Sequence, residues 1–171
     1  MTPKAKKQPS DLRIIDNWLS TSEFLVLKDI FTSTTCNWFI VNGISDNSET
    51  MKNLNPLDNY MFAHMVYQQY TPYSNYWDKV MEIIHPKLKE TCGQDFRAIS
   101  RIKCNMYPRT PEVVQHPWHT DSAEIQGLRG LLLSFNTCDG YTGFADGTEV
   151  DSVENRAILF DSTEKHYPTS C

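Results

Sequence analysis

Two histidines and an aspartate carry the clearest chemistry in this sequence. His119 and Asp121 are two residues apart in the run His116-Pro117-Trp118-His119-Thr120-Asp121. On extended backbone, side chains two apart share a face, so an imidazole and a carboxylate stand side by side as adjacent metal ligands. His166 follows the apolar run Ala157-Ile158-Leu159-Phe160 closely and is the candidate third ligand. Two imidazoles and one carboxylate on one side of a metal, with the remaining positions open, suit a non-haem Fe(II) centre. The three side chains are expected to meet around one position, each donor about 2.0–2.3 Å from it. An H-x-D pair also arises with no metal; His119 is then a hydrogen-bonding histidine and His166 a loop histidine at a strand end. His64, His85 and His116 read as surface or capping residues outside the site. Trp118 points away from His119 and Asp121, toward packing.

The totals bound the rest. A chain of 171 residues is long enough for one domain with a real core. The net charge of −5 speaks against a general nucleic-acid-binding surface while leaving room for a local basic patch. No apolar run approaches the ~20 residues of a membrane span. Residues 1–10 read as a disordered basic tail, not a secretory signal. Cys36, Cys92, Cys104, Cys138 and Cys171 are scattered, odd in number and form no C-x-x-C. That favours reduced thiols in a cytoplasm over a disulfide framework or a zinc ribbon.

The elements that must position the site follow from periodicity. Leu12–Ile15 is a short strand. Ser20-Thr21-Ser22-Glu23 fits a capping box, and Phe24, Leu27, Ile30 and Phe31 then recur at helical spacing. Trp38–Val41 is a second strand, Asp46–Asn59 a polar loop, and Met61–Tyr70 an extended aromatic run. Trp77, Val80, Met81 and Ile84 give an amphipathic helix that Pro86 kinks or ends and Gly93 stops. From residue 96 the pattern turns to β. Ile102, Cys104 and Met106 alternate with Arg101, Lys103, Asn105 and Tyr107. Candidate strands follow around His119 and at Leu131–Phe135, Tyr141–Phe144, Thr148–Val153 and Ala157–Phe160, with turns at Asp139-Gly140 and Asp146-Gly147. The layout is mostly β with N-terminal helices, a sandwich or barrel backed by helices. Residues 11–171 form a single domain on this reading.

The chain resembles the Fe(II)/2-oxoglutarate-dependent oxygenases, in particular the small prolyl-4-hydroxylase-like members often encoded by phages. The resemblance is carried by Pro117-Trp118-His119-Thr120-Asp121, Leu133-Ser134-Phe135-Asn136-Thr137, the run Gly140 to Thr148, Asn155-Arg156-Ala157-Ile158-Leu159-Phe160-Asp161, and Lys165-His166 with Thr169-Ser170-Cys171. Arg13 to Ser20 looks like the start of such domains. The match is loose at the front and close from about residue 99. It implies a double-stranded β-helix, or jelly roll, with helices on one sheet. It implies that His119, Asp121 and His166 hold Fe(II), with 2-oxoglutarate and O2 at the open positions and ascorbate as an auxiliary reductant. The reaction is then hydroxylation of a small-molecule or peptide substrate, such as a prolyl or other side chain, giving succinate and CO2. Related halogenases lack the carboxylate, so Asp121 points to hydroxylation. Tyr107 and Asn105 are the candidate 2-oxoglutarate contacts; Arg129 and Arg156 read as surface salt-bridge residues. The implied compartment is the cytoplasm, or the host's if the chain is phage-encoded.

Family members also carry a basic residue about ten positions after the distal histidine, on a last strand, where it pairs with the 5-carboxylate of 2-oxoglutarate. Here Cys171 comes first. The fold is therefore expected to lack its last strand and to leave an open edge beside Ala157–Phe160, inviting self-association. The natural chain is expected to continue for about 15–20 residues and include an Arg or Lys; otherwise Arg101 or Arg129 must hold that carboxylate. The competing reading is a non-catalytic jelly-roll interaction domain that retains a metal site.

Overall fold

The computed structural model describes residues 11–44, 59–122, 125 and 127–171. The basic tail and most of the Asp46–Asn59 loop lie outside the described residues. Among those described, the order is β1 (Arg13–Ile15), α1 (Thr21–Thr32), β2 (Phe39–Asn42), β3 (Tyr60–Gln68), β4 (Thr71–Pro72), α2 (Trp77–Cys92), β5 (Arg101–Met106), β6 (Arg129–Leu133), β7 (Tyr141–Phe144), β8 (Glu149–Asp151), β9 (Ala157–Asp161) and β10 (His166–Pro168). The fold is mostly β, with three antiparallel sheets and two helices. It separates into two compact units: one within Met1–Trp18, Asn42–Tyr60 and Tyr107–Cys171, the other Leu19–Val41 with Met61–Met106.

The second unit holds both helices. The capping box forms as read: the Glu23 N–H donates to Ser20 Oγ, and the Ser20 N–H donates to the Glu23 carboxylate. Phe24, Leu27 and Phe31 are the buried stripe of α1. In α2 the core residues are Val80 and Ile83, so the buried stripe is rotated from the one expected. Pro86 does not end α2, which runs on to Cys92. Pro86 is exposed, and the burial of Val80 and Ile83 one to two turns earlier outweighs the backbone bond it removes. In β3, Met61, Ala63, His64 and Val66 are buried, an alternation interrupted by an irregularity in the pairing with β5 between Met65 and Tyr67. His64 is a core residue, not a surface one; its ring nitrogens meet the Asn37 carbonyl at 2.7 Å and Ser74 Oγ at 2.9 Å.

The first unit positions the candidate ligands. One sheet runs β1-β9-β6 and the other β10-β7-β8. They share a core: Phe144 and Val150 from the second meet Ile158 and Phe160 from the first, with Leu12 and Leu132 packed against them. Residues 157–160 of β9 are all buried, as suits a central strand covered on both faces. The open edge expected beside Ala157–Phe160 is filled, because β1 pairs along one side of β9 and β6 along the other. Two glycines let aromatic rings lie across neighbouring strands. A Cβ on Gly130 would sit 2.6 Å from the Phe160 ring, and one on Gly143 would collide with the ring of Tyr167. Ion pairs Arg129–Asp11 and Arg156–Asp16 tie β6 and the start of β9 to the chain flanking β1. Both arginines are thus salt-bridge residues, as their positions suggested.

Candidate metal centre

β10 is three residues long, yet it is paired on both sides. Along one side its partners are Phe144, Gly143 and Thr142 of β7. Along the other runs the segment 110–119. The His119 N–H donates to the His166 carbonyl and the His166 N–H to the His119 carbonyl, both at 2.9 Å; further down, His116 N–H donates to the Pro168 carbonyl and Thr110 N–H to the Cys171 carbonyl. His119 therefore sits in an isolated bridge, not within a regular strand as expected. Pro117 has no N–H to give a ladder, and the chain bends at Asp121.

Directly opposed residues on antiparallel backbone project to the same face, and this register sorts the side chains. His119, His166 and Phe144 share one face; the His119 and His166 rings lie 4.4 Å apart, centroid to centroid. Trp118 and Tyr167 share the opposite face and pack edge to face at 4.4 Å, over the gap left by Gly143. Trp118 is thus a packing residue, and its stack holds the bridge from behind. Asp121 comes round through the bend, which is pinned where the Ser122 N–H donates to the Ser162 carbonyl just beyond β9.

His119, Asp121 and His166 come together with a potential ligand atom of each within 4.8 Å of the others. His166 Nε2 faces an Asp121 carboxylate oxygen at 4.0 Å, with His166 buried and the Asp121 side chain 25% exposed. The other nitrogen of each histidine is turned to a backbone carbonyl: His166 Nδ1 to Glu164 at 3.0 Å, and His119 Nδ1 to Pro117 at 3.3 Å. A carbonyl only accepts, so each bond places a proton on Nδ1, which makes Nε2 the nitrogen suited to a metal. The Phe160 ring stands edge-on to His166 at 4.8 Å, and Phe144 lies beside it, 6.0 Å from His166 and 5.4 Å from Phe160. Adjacent ligands about 2.1 Å from one metal lie about 3 Å apart. The 4.0 Å between His166 Nε2 and the Asp121 carboxylate exceeds that, so the side chains must draw together to bind one ion. The three side chains and their supporting carbonyls form a group that could hold a metal ion.

The remaining candidates are placed as follows. Tyr107 is half-buried, and its ring stacks on His116 at 5.3 Å. Asn105 is exposed on β5, in the other unit. His116 is 2% exposed, so it is a core residue and not a surface one. Its burial is not legible in sequence because the stacking of Tyr107, nine residues earlier, depends on how the proline-containing loop between them folds back. His116 also borders a cavity of about 140 Å³ with Arg109, Thr110 and Ser170, and none of the three ligands lines it. Among the described residues, no helix is long and apolar enough to cross a membrane. Comparisons of the chain with protein-family models, with curated proteins and with solved structures give no match in any of the three. The reading of the site therefore rests on its own geometry and chemistry.

Proposed function

We propose that this chain is an Fe(II)- and 2-oxoglutarate-dependent dioxygenase, a prolyl-4-hydroxylase-like hydroxylase built on a double-stranded β-helix. The observation that carries the reading is the convergence of His119, Asp121 and His166 from a bridge, a bend and a strand onto one point. Two antiparallel sheets sharing one core support the fold assignment. When bound, Fe(II) with 2-oxoglutarate and O2 supplies the oxidising chemistry that places a hydroxyl on the substrate, with succinate and CO2 as the other products. The chain's own residues hold and shape the place. His119 and His166 present imidazole rings oriented by the Pro117 and Glu164 carbonyls. Asp121 supplies the anionic donor; it and His119 are partly exposed while His166 is buried, so their side is the one open to cosubstrate and substrate. Phe160 and Phe144 pack together beside the buried His166 and give its ring an apolar support. Tyr107 lies in the same unit and remains the candidate for a hydrogen bond to 2-oxoglutarate.

The test is an anaerobic titration of the full chain with Fe(II) and then 2-oxoglutarate, followed by visible absorbance. Chelation of the metal by the keto acid is expected to produce a charge-transfer band that His166→Ala abolishes. Metal uptake with no response to 2-oxoglutarate would contradict the proposal. It would favour the second reading, a non-catalytic jelly-roll interaction domain that keeps a metal. One observation supports that alternative. Arg129 and Arg156, the arginines on or beside the central strands, are already engaged by Asp11 and Asp16, so neither is available for the 5-carboxylate.

A further inference from the structure

We propose that the cavity beside the 110–119 segment binds the carboxylate of a small organic acid, with Arg109 as its cation. Tyr60, Arg109, Thr110, His116 and Ser170 are its polar lining residues, all within the first unit. Its described lining holds no Asp or Glu, in a chain whose net charge is −5. Arg129 and Arg156 are taken up by Asp11 and Asp16, and Arg97 is turned to the Gln94 carbonyl. Among the described residues no carboxylate pairs with Arg109. Arg109 is exposed, so a ligand reaches it from solvent. A guanidinium presents a planar fork that matches a carboxylate through two parallel N–H donors. A phosphate carries about −1.5 to −2 charge, more than one guanidinium offsets. The volume, about 140 Å³, is well below the ~300 Å³ at which drug-sized sites begin, so it suits an acid of a few carbons and not a nucleotide.

The walls are built before any ligand arrives. Pro108 and Pro111 also line the cavity and fix the backbone on either side of Arg109 and Thr110. Thr110 N–H donates to the Cys171 carbonyl at 2.9 Å, and Ser170 N–H to that of Val114 at 3.0 Å. Val114 N–H donates to Ser170 Oγ at 2.8 Å. Thr110 Oγ1 gives its proton to the Glu112 carbonyl at 2.6 Å, so Ser170 Oγ, 2.5 Å away, donates to Thr110. Both hydroxyls are thus committed to holding the loop, and attraction for an anion falls to Arg109. The His116 ring, 2% exposed and stacked on Tyr107 at 5.3 Å, is a rigid wall. Two sources present this chemistry: a separate small acid, and the far carboxylate of a diacid whose other end lies at the candidate metal centre. His116 and His119 are three residues apart, at most ~11 Å along the chain.

The experiment titrates the ¹⁵N-labelled, metal-free full chain with acetate, succinate, 2-oxoglutarate and inorganic phosphate, read by amide chemical shifts. Without metal, its failure leaves the oxygenase reading untouched. The carboxylates are expected to give saturable shifts at Thr110, Val114 and Ser170, and phosphate to bind more weakly. Arg109→Ala should weaken the carboxylates at least ~10-fold. Arg109→Lys should restore part of that, since it keeps the charge without the fork. Arg97→Ala should change nothing. Adding Zn(II) separates the sources: 2-oxoglutarate tightened through Arg109 while acetate is unchanged assigns the diacid, and equal affinities with and without metal assign a separate acid. Shifts that do not saturate, a saturable response that survives Arg109→Ala, or phosphate bound as tightly as the acids would overturn the proposal.

Discussion

Asp121 is the ligand that a substitution can remove with least damage to the fold, since it sits half-exposed on a bend. Asp121→Ala is expected to weaken Fe(II) binding by at least ~100-fold, because losing a ligand should cost no less than losing one of its supporting partners. Thermal stability should change little. His116→Ala is the control with the opposite signature. Its ring is buried and stacked on Tyr107, so the variant should lose about 2–4 kcal/mol of stability while binding metal within a few-fold of the parent. Anaerobic metal titration beside urea unfolding reads both quantities, and equal metal loss in the two variants would mean that the ligand set is wrong. At this scale the triad was legible because it needs only two local facts: a two-residue spacing and a histidine close behind a buried strand. The burial of His116 and His64 was not legible. Their partners, Tyr107 in one case and Asn37 and Ser74 in the other, lie nine to 27 residues away and are brought up by intervening loops that carry no periodic signal.

The short β10 depends on its neighbours more than on its own sequence, and Gly143 is where that dependence is easiest to probe. Gly143→Ala would drive a methyl into the Tyr167 ring. Relief requires moving that ring off Trp118 or shifting the backbone, and overpacking of this kind costs about 1–3 kcal/mol. A urea midpoint unchanged from the parent would show that the ring moves freely. The clasp between Asp16 and Arg156 makes a pH prediction. The hydrogen bonds from Arg156 hold the Asp16 carboxyl below its ordinary value of 3.8. A carboxylate with a depressed folded pKa stabilises the fold fully above its unfolded value, and loses that contribution as pH falls through the folded one. Unfolding midpoints followed downward from about pH 5 should therefore fall more steeply in the parent than in Asp16→Asn below 3.8; parallel curves would contradict the clasp. Among the elements, the capped α1 and the apolar β9 were readable from local signals. The pairing of 110–119 with β10 was not, because prolines hide extended backbone and the bonds join segments some fifty residues apart.

The core of the first unit and the candidate metal site share a wall, so stability and ligand placement are coupled. Phe160 is completely buried, opposes Gly130 across the strand pair, and stands edge-on to His166. Phe160→Ala should cost about 3–5 kcal/mol and weaken metal binding as well, whereas Leu27→Ala in α1 should cost stability without that second effect beyond what unfolding explains. Titrations at a temperature where both variants remain folded separate the cases. The mostly β class with helices early in the chain was legible from the change of period near residue 96. The division into two compact units was not, because each is assembled from separated stretches of chain. The most direct test of the central claim is succinate release by the purified full chain, supplied with Fe(II), 2-oxoglutarate, ascorbate and O2. The account predicts succinate formed catalytically, dependent on Fe(II) and O2, stimulated by the right substrate and abolished in His166→Ala. Folded, metal-loaded protein that forms no succinate above the His166→Ala background, with or without candidate peptides, would contradict it.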